Sequence, residues 1–225
     1  MSVADKLATI AANEQRVYDA GQKVFWDYYQ SNGSRQNYEN AFSGRGWTVN
    51  TFKPKYNLTV TRAYMLFFNS AIDGDLPSLL QGLGVTLNFN SVPSFQYAFQ
   101  SCKFTHIGVI HAENATTFFC AFADSTQIET IDKIILGTSG KAAFGNGFRG
   151  CAALRNITFE GVIGQDISFA DSPLLTHDSI INIISCLQDL TGTGNTRTLT
   201  LGATNLAKLT DAEKAVATEK GWTLA

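Results

Sequence analysis

Few residues of this chain have types that could carry chemistry, and they are widely spaced. The histidines are His106, His111 and His177, and Glu113 lies two residues after the second of them. Imidazole and carboxylate groups bind metal ions when they converge on one point. Residues five apart on a strand point to opposite faces, so the spacing of His106 and His111 predicts no metal site.

Motifs for phosphate binding and nucleophilic catalysis are incomplete. Residues 137–141 read Gly-Thr-Ser-Gly-Lys, but Ile135 stands where a phosphate loop needs Gly, and Ala142 stands where it needs Ser or Thr. Cys186 follows Ile183 and Ile184, which predicts a buried and protonated thiol. We therefore expect no catalytic residues, no cofactor, no metal and no enzymatic activity.

Composition narrows the class of partner. The chain has 225 residues, of which 44% are hydrophobic and 16% charged, and its net charge is -2. This favours a packed domain without the basic face that a nucleic-acid partner requires. No uninterrupted apolar run is long enough to span a bilayer, and the first residues lack a signal-peptide pattern, so we expect no membrane span and no export. The four cysteines, none in a Cys-x-x-Cys pair, are expected to be free thiols: Cys102, Cys120, Cys151 and Cys186.

The elements that position these residues follow from a repeat. Short segments containing Phe recur at irregular steps along the chain, and these rings are expected to form a ladder in the core: Phe42, Phe68, Phe99, Phe122 and Phe148. Most are followed by apolar residues in Leu-x-x-Leu-x-Leu spacing, as in Phe104-x-x-Ile107-x-Val109 and Leu154-x-x-Ile157-x-Phe159. This pattern predicts an α/β solenoid of the leucine-rich repeat class, with irregular repeats of about 23–31 residues and one short strand in each.

Outward side chains of such strands form a continuous face when the strands stack. The candidate binding face comprises Thr105, His106, Glu129, Thr130, Asp132, Arg155, Asn156, Thr158 and Glu160. The alternative is an ordinary solvated surface without a ligand.

The two ends of the chain differ from the repeats. Residues 1–31 predict a helix whose apolar residues keep heptad spacing, with Val3, Leu7, Ile10 and Val17 as candidate oligomerisation residues. Two interpretations stay open: a coiled coil that makes a homodimer or homotrimer, or a helix that caps a solenoid spanning residues 32–175.

Residues 176–225 predict a helix-strand-helix-strand cap. Thr176 is expected to begin a helix that runs to about Leu190, and Thr210 and Glu213 form a capping box for a second helix that stops at Gly221. The segments 199–201 and 222–224 share one pattern, Leu-Thr-Leu and Trp-Thr-Leu. Their alignment, with Leu199 matched to Trp222, predicts two equivalent strands.

One stretch resembles a known family. Residues 147–159, which read Gly-Phe-x-x-Cys-x-x-Leu-x-x-Ile-x-Phe, resemble the BspA-like (Treponema-type) leucine-rich repeat. Residues 13–21, 52–56 and 206–224 resemble segments of proteins encoded by phages and prophages of gut Firmicutes.

This resemblance implies a non-enzymatic binding or structural protein. It would be a tail, baseplate or decoration subunit of a phage virion, assembled in the bacterial cytoplasm. Its sheet face would contact a protein or glycan of the host surface, or another virion protein. The alternative is an adhesin module of the same repeat family at the bacterial cell surface.

Overall fold

The computed structural model describes residues 38–54, 57–89 and 92–225, together with Lys6 and Thr9, which are helical. The candidate oligomerisation residues Val3, Leu7, Ile10 and Val17 lie outside the described residues. The expectation of an oligomerising or capping helix over residues 1–31 therefore stays a prediction.

Every strand pairing in the described residues is parallel. The strands are β1 (Leu58–Thr59), β2 (Asp73–Asp75), β3 (Leu87–Asn88), β4 (Lys103–Ala112), β5 (Thr130–Leu136), β6 (Asn156–Glu160), β7 (Ile167–Ser168), β8 (Arg197–Thr200) and β9 (Trp222–Leu224). They form sheets in the orders β1-β3, β2-β4-β5-β6 and β7-β8-β9. Parallel neighbours require a long return connection, so within each sheet the chain makes a circuit between one strand and the next.

A column of stacked phenylalanine rings runs through the core beside these strands. Neighbouring ring centroids lie 4.6 to 5.4 Å apart. The column comprises Phe42, Phe67, Phe99, Phe122, Phe148 and Phe169. The expectation that Phe68 belongs to it is wrong, because Phe67 is fully buried whereas Phe68 is only partly buried.

A recurring turn explains why Phe67 is the buried residue. The residue two positions before the stacked Phe has a left-handed backbone in five successive turns: Asn40, Met65, Tyr97, Cys120 and Asn146. Each Phe up to Phe122 also donates its backbone N–H to a carbonyl of the next turn, as Phe99 does to Ala121 at 2.7 Å. The turn thus fixes which residue points inward, and Met65 selects Phe67.

The middle strands contain more residues than strict alternation allows. Buried positions are three apart twice in β4 (Phe104, Ile107, Ile110) and once in β5 (Ile131, Ile134), but two apart in β6. The register between β5 and β6 shifts at this point. The expectation that Val109 faces the core is therefore wrong: its exposed fraction is 46%, and Ile110 is buried in its place.

Side-chain caps define three of the four helices in the described residues. The helices are α1 (Leu76–Gly82), α2 (His177–Ser185), α3 (Gly202–Leu206) and α4 (Asp211–Glu219). The predicted Thr176 cap and the Thr210–Glu213 capping box are both present. The helix that begins after Thr176 ends at Ser185 and not at Leu190. Cys186 follows Ser185 and caps the last turn of this helix.

The C-terminal part differs from the expectation in two respects. The extra helix α3 lies between β8 and α4. Leu199 pairs with Leu224 and Arg197 pairs with Trp222, so the predicted match of Leu199 with Trp222 is wrong. Because β7 pairs with β8, this sheet also extends across the expected boundary at residue 175.

Candidate functional site: a polar sheet face centred on His106

Three neighbouring strands bring the candidate face together in rows. His106 lies opposite Thr130, which in turn lies opposite Asn156. In the row before it, Glu129 donates its N–H to the carbonyl of Thr105 at 2.8 Å, and Arg155 donates to the carbonyl of Glu129 at 2.9 Å. Rows of this kind repeat at the strand spacing of about 4.8 Å.

The residues of this face are accessible to a partner. Five side chains are exposed: Glu129, Asp132, Arg155, Asn156 and Glu160. Four are intermediate: Thr105, His106, Thr130 and Thr158. The structure therefore places all nine predicted residues together on or directly before β4, β5 and β6.

The imidazole of His106 is held between two carboxylates at the centre of the face. Its Nδ1 lies 2.6 Å from Asp75 Oδ2, and its Nε2 lies 2.8 Å from Asp132 Oδ1. The three side chains come from the adjacent strands β4, β2 and β5. The exposed fraction is 26% for His106, 40% for Asp75 and 46% for Asp132. We call these three residues the His106 bridge.

This geometry fixes the charge of the imidazole. A carboxylate only accepts hydrogen bonds, so both ring nitrogens of His106 can donate only in the imidazolium form. Burial lowers the pKa of His106, but the hydrogen bonds to Asp75 and Asp132 outweigh it and raise the pKa above its usual value. The His106 bridge thus carries one positive and two negative charges when it is intact.

Asp75 has a second task that connects the bridge to α1. Its Oδ1 accepts the backbone N–H of Ser78 at 2.6 Å and caps the helix. Burial raises the pKa of Asp75, but the Ser78 N–H and the His106 imidazolium outweigh it and hold the pKa below its usual value. One carboxyl group therefore fixes both the start of α1 and the orientation of His106.

Asp75 is the member of the site that the sequence does not predict. A signal for it exists, because an Asp followed by Leu76 and Pro77 is a typical helix start. Its pairing with His106, which lies in the next circuit of this sheet, depends on the register of β2 against β4. No local pattern encodes that register.

The rest of the face is ordered by cross-strand contacts. The Nζ of Lys133 lies 3.0 Å from Glu160 Oε2, and Thr158 Oγ1 donates to the backbone carbonyl of Asp132 at 2.5 Å. Exposed ion pairs of this kind contribute about 0–1 kcal/mol. They orient side chains more than they stabilise the fold.

His111 lies further along β4. The prediction that it and His106 point to opposite faces is wrong, because the extra residue at Gly108 and Val109 changes the alternation. His111 lies between the buried residues Ile110 and Ala112, and its Nδ1 is 3.2 Å from Glu113 Oε1. It therefore shares the exposed side with His106. In the described parts of the chain, no three His, Cys, Asp or Glu side chains converge to hold a metal ion.

The cysteines are unpaired and three of them are buried. Burial raises the pKa of Cys102 to about 11 and raises the pKa of Cys151 as well. Cys186 is partly buried, and burial raises its pKa too. A thiol with a raised pKa is a poor nucleophile, so these side chains serve packing.

Comparison of the chain with protein-family models, with curated proteins and with solved structures finds no match. Within the described ranges, no helix combines the length and the apolar character needed to cross a bilayer.

Proposed function

We propose that this chain is a non-enzymatic binding protein with a leucine-rich repeat solenoid fold, whose face on β4, β5 and β6 contacts another protein. The observation that carries the proposal is the His106 bridge within a continuous set of accessible polar residues. Rigid strands with side chains locked by hydrogen bonds present a face to a partner with little loss of side-chain entropy on binding.

The chemistry of the bridge supports binding over catalysis. A general base needs a ring nitrogen that is free to take a proton. Both nitrogens of His106 are engaged by carboxylates, so the imidazole does not offer one. The face also carries charged groups of both signs, as recognition surfaces do.

We further propose that the protein is a subunit of a phage virion, as part of a tail, a baseplate or a decoration layer. The support is the resemblance of residues 13–21, 52–56 and 206–224 to phage and prophage proteins, together with the accessible face. Its partner in this setting is a neighbouring virion protein or a component of the host surface.

Immunogold electron microscopy of particles induced from a lysogen that encodes the chain tests this placement. An antibody against the full chain should label the particle at defined positions. Label confined to the surface of uninfected cells would overturn the virion assignment and support a cell-surface adhesin instead.

A pair of charge reversals tests the role of the face. Particles made with Arg155→Glu should carry at least tenfold less of the chain or adsorb at least tenfold less to host cells. The matched control is Lys214→Glu, on α4 and outside the nine residues of the face. Equal incorporation and adsorption for both variants would show that the face has no part in binding.

A further inference from the structure

A cavity of about 470 Å³ lies between α1 and β4, next to the polar face. Its walls include Leu76, Pro77 and Leu80 of α1, with Ile107 and Val109 of β4 opposite them. The volume falls within the usual range for ligand pockets, about 300–1,000 Å³. The extra residue in β4 turns Val109 outward and gives the cavity an exposed apolar wall.

The described residues that line this cavity are almost all apolar. Gln81 and Thr86 are polar, and none of the lining residues is charged. A ligand bound here gains by removing apolar surface from water. The cavity therefore selects an apolar group.

A carboxylate lies just beyond one end of the cavity. Gly108 lines it, and a methyl group at the α-carbon of Gly108 would lie 2.9 Å from Pro77 Cγ and 3.9 Å from Asp132 Oδ2. The other oxygen of Asp132 is bound to His106. Asp132 Oδ2 thus lies at the cavity edge on a half-exposed side chain, and the His106 bridge beside it is negative overall.

We propose that this cavity binds an apolar segment of a polypeptide partner in which a Lys or Arg directly follows the apolar residues. The apolar side chains enter between α1 and β4, and the cation contacts Asp132 Oδ2. A polypeptide fits because Asp132 belongs to both the cavity edge and the polar face, so the bound chain can continue across β5 and β6. The inference rests on the proposed function in taking a protein as the partner.

Methyl NMR spectra of the full chain, titrated with short capped peptides, test the proposal. Acetyl-Leu-Phe-Lys-amide should shift the methyl signals of Leu80, Val85 and Val109, with a Kd of about 1 mM. Acetyl-Leu-Phe-Glu-amide should bind at least fivefold more weakly, and acetyl-Gly-Gly-Lys-amide should cause no shift. The methyl signals of Val216 on α4 should stay in place.

Two variants separate the apolar and the charged contributions. Val109→Lys should abolish the shifts, whereas Val216→Lys, at a similarly exposed valine, should leave them unchanged. Asp132→Asn should weaken binding of the Lys peptide about threefold to fivefold, as expected for an exposed ion pair, and should leave the Glu peptide no weaker.

Three results would overturn the proposal. They are the absence of shifts at tenfold the expected Kd, equal binding of the Lys and Glu peptides, and equally tight binding of free indole, which would assign the cavity to small apolar molecules. The peptide experiment needs no virion or host cell. If the peptides do not bind but the antibody labels virions, the proposed ligand of the cavity is rejected and the virion assignment stands. If the peptides bind but virions are not labelled, only the virion assignment is rejected.

Discussion

Two circuits of the chain return to the sheet β2-β4-β5-β6 after different numbers of residues. In the longer circuit, Asp73 of β2 lies opposite Lys103 of β4, and the interval between them contains α1 and β3. In the shorter circuit, His106 of β4 lies opposite Thr130 of β5, and no helix lies between them.

The difference in circuit length shows where this fold forms a cavity for a ligand. The short circuits pack backbone against backbone, and the long circuit projects a helix that leaves a cavity beside β4. The His106 bridge lies at the junction, since Asp75 belongs to the long circuit and Asp132 to the short ones. Candidate function thus concentrates where the regular packing changes.

Removing a ring from the regular part should have the largest effect. Phe122 is fully buried, and its ring centroid lies 5.4 Å from that of Phe99 and 5.3 Å from that of Phe148. Phe122→Ala should lower the free energy of unfolding by about 3–5 kcal/mol, because it leaves a cavity in the column. Urea denaturation followed by circular dichroism measures this loss.

The control for that experiment is Gln127→Ala, at an exposed position in the same circuit. It should change the free energy of unfolding by less than about 0.5 kcal/mol. If the two variants unfold at the same urea concentration, the ring column is not the core of the fold.

Glycines should respond in opposite ways in the two parts. A β-carbon at Gly137 would lie 2.5 Å from the carbonyl oxygen of Glu113, so Gly137→Ala should cost about 1–3 kcal/mol. A β-carbon at Gly82, the last residue of α1, meets open space, so Gly82→Ala should stabilise by up to about 1 kcal/mol. Thermal unfolding of both variants checks the signs. Destabilisation by Gly82→Ala would mean that α1 is packed as tightly as the short circuits.

The junction should be sensitive to pH. The pKa of His106 is raised, so the stability that its charged form provides is complete below the unfolded value of about 6.5 and is lost as the pH rises through the folded pKa. The pKa of Asp75 is lowered, so its contribution is lost when the pH falls well below about 4. The bridge should stabilise most between about pH 4 and 6.5.

His106→Asn removes this dependence. The difference in melting temperature between the native chain and the variant should be largest near pH 5.5 and smallest near pH 9. It should correspond to about 1 kcal/mol or less, as for partly exposed ion pairs. A difference that stays constant over this range would show that the imidazolium form is not what holds the two carboxylates.

The smallest expected difference between parts of the molecule is in the rate at which their thiols react. We expect four free thiols after denaturation without a reductant. In the folded protein, Cys186 should react with a thiol reagent before Cys102 and Cys151, because its side chain is only partly buried. Equal rates for all three would show that the whole stack opens at once.

The sequence predicts those features of the fold that depend on local chemistry. The buried positions at Ile131, Leu154 and Ile157, and the cap at Thr176, each follow from spacing or from a side chain that bonds its own turn.

Cys102, Ser125 and Cys151 each follow a stacked Phe by three residues in the sequence. This equal spacing predicts that they lie in one column, and the structure places them so. The Ser125 hydroxyl accepts the N–H of Cys102 at 3.1 Å and donates to the carbonyl of Phe99 at 2.5 Å. In the next circuit, Cys151 Sγ donates to the carbonyl of Phe122 at 3.1 Å. A hydroxyl and a thiol therefore fill equivalent places in successive turns.

Features that depend on contacts between distant segments escape such reasoning. The choice of Phe67 over Phe68 depends on the left-handed Met65, whose N–H donates to the carbonyl of Gln96 in the next circuit at 3.1 Å. The exposure of Val109 depends on an extra residue shared by β4 and β5. Both alternatives place an apolar residue inward, so hydrophobic spacing alone does not distinguish them. The nine residues of the candidate face were predictable, but the His106 bridge that organises them was not.

The recurring turn also affects the chemical stability of the chain during storage. Asn146 and Gly147 form an Asn-Gly dipeptide. Such dipeptides are prone to deamidation, because the glycine nitrogen can attack the amide carbon of the asparagine side chain. Here that nitrogen donates to the carbonyl of Phe144 at 2.6 Å, and the carbonyl of Gly147 accepts the N–H of Phe122 at 2.8 Å. The N–H of the Asn146–Gly147 peptide is thus held within the turn, and the carbonyl of the following peptide is bound to the neighbouring circuit, which opposes rotation of the glycine nitrogen toward the side-chain amide. The folded protein should therefore keep Asn146 intact during storage at mildly alkaline pH, whereas the denatured chain should convert it to aspartate and isoaspartate.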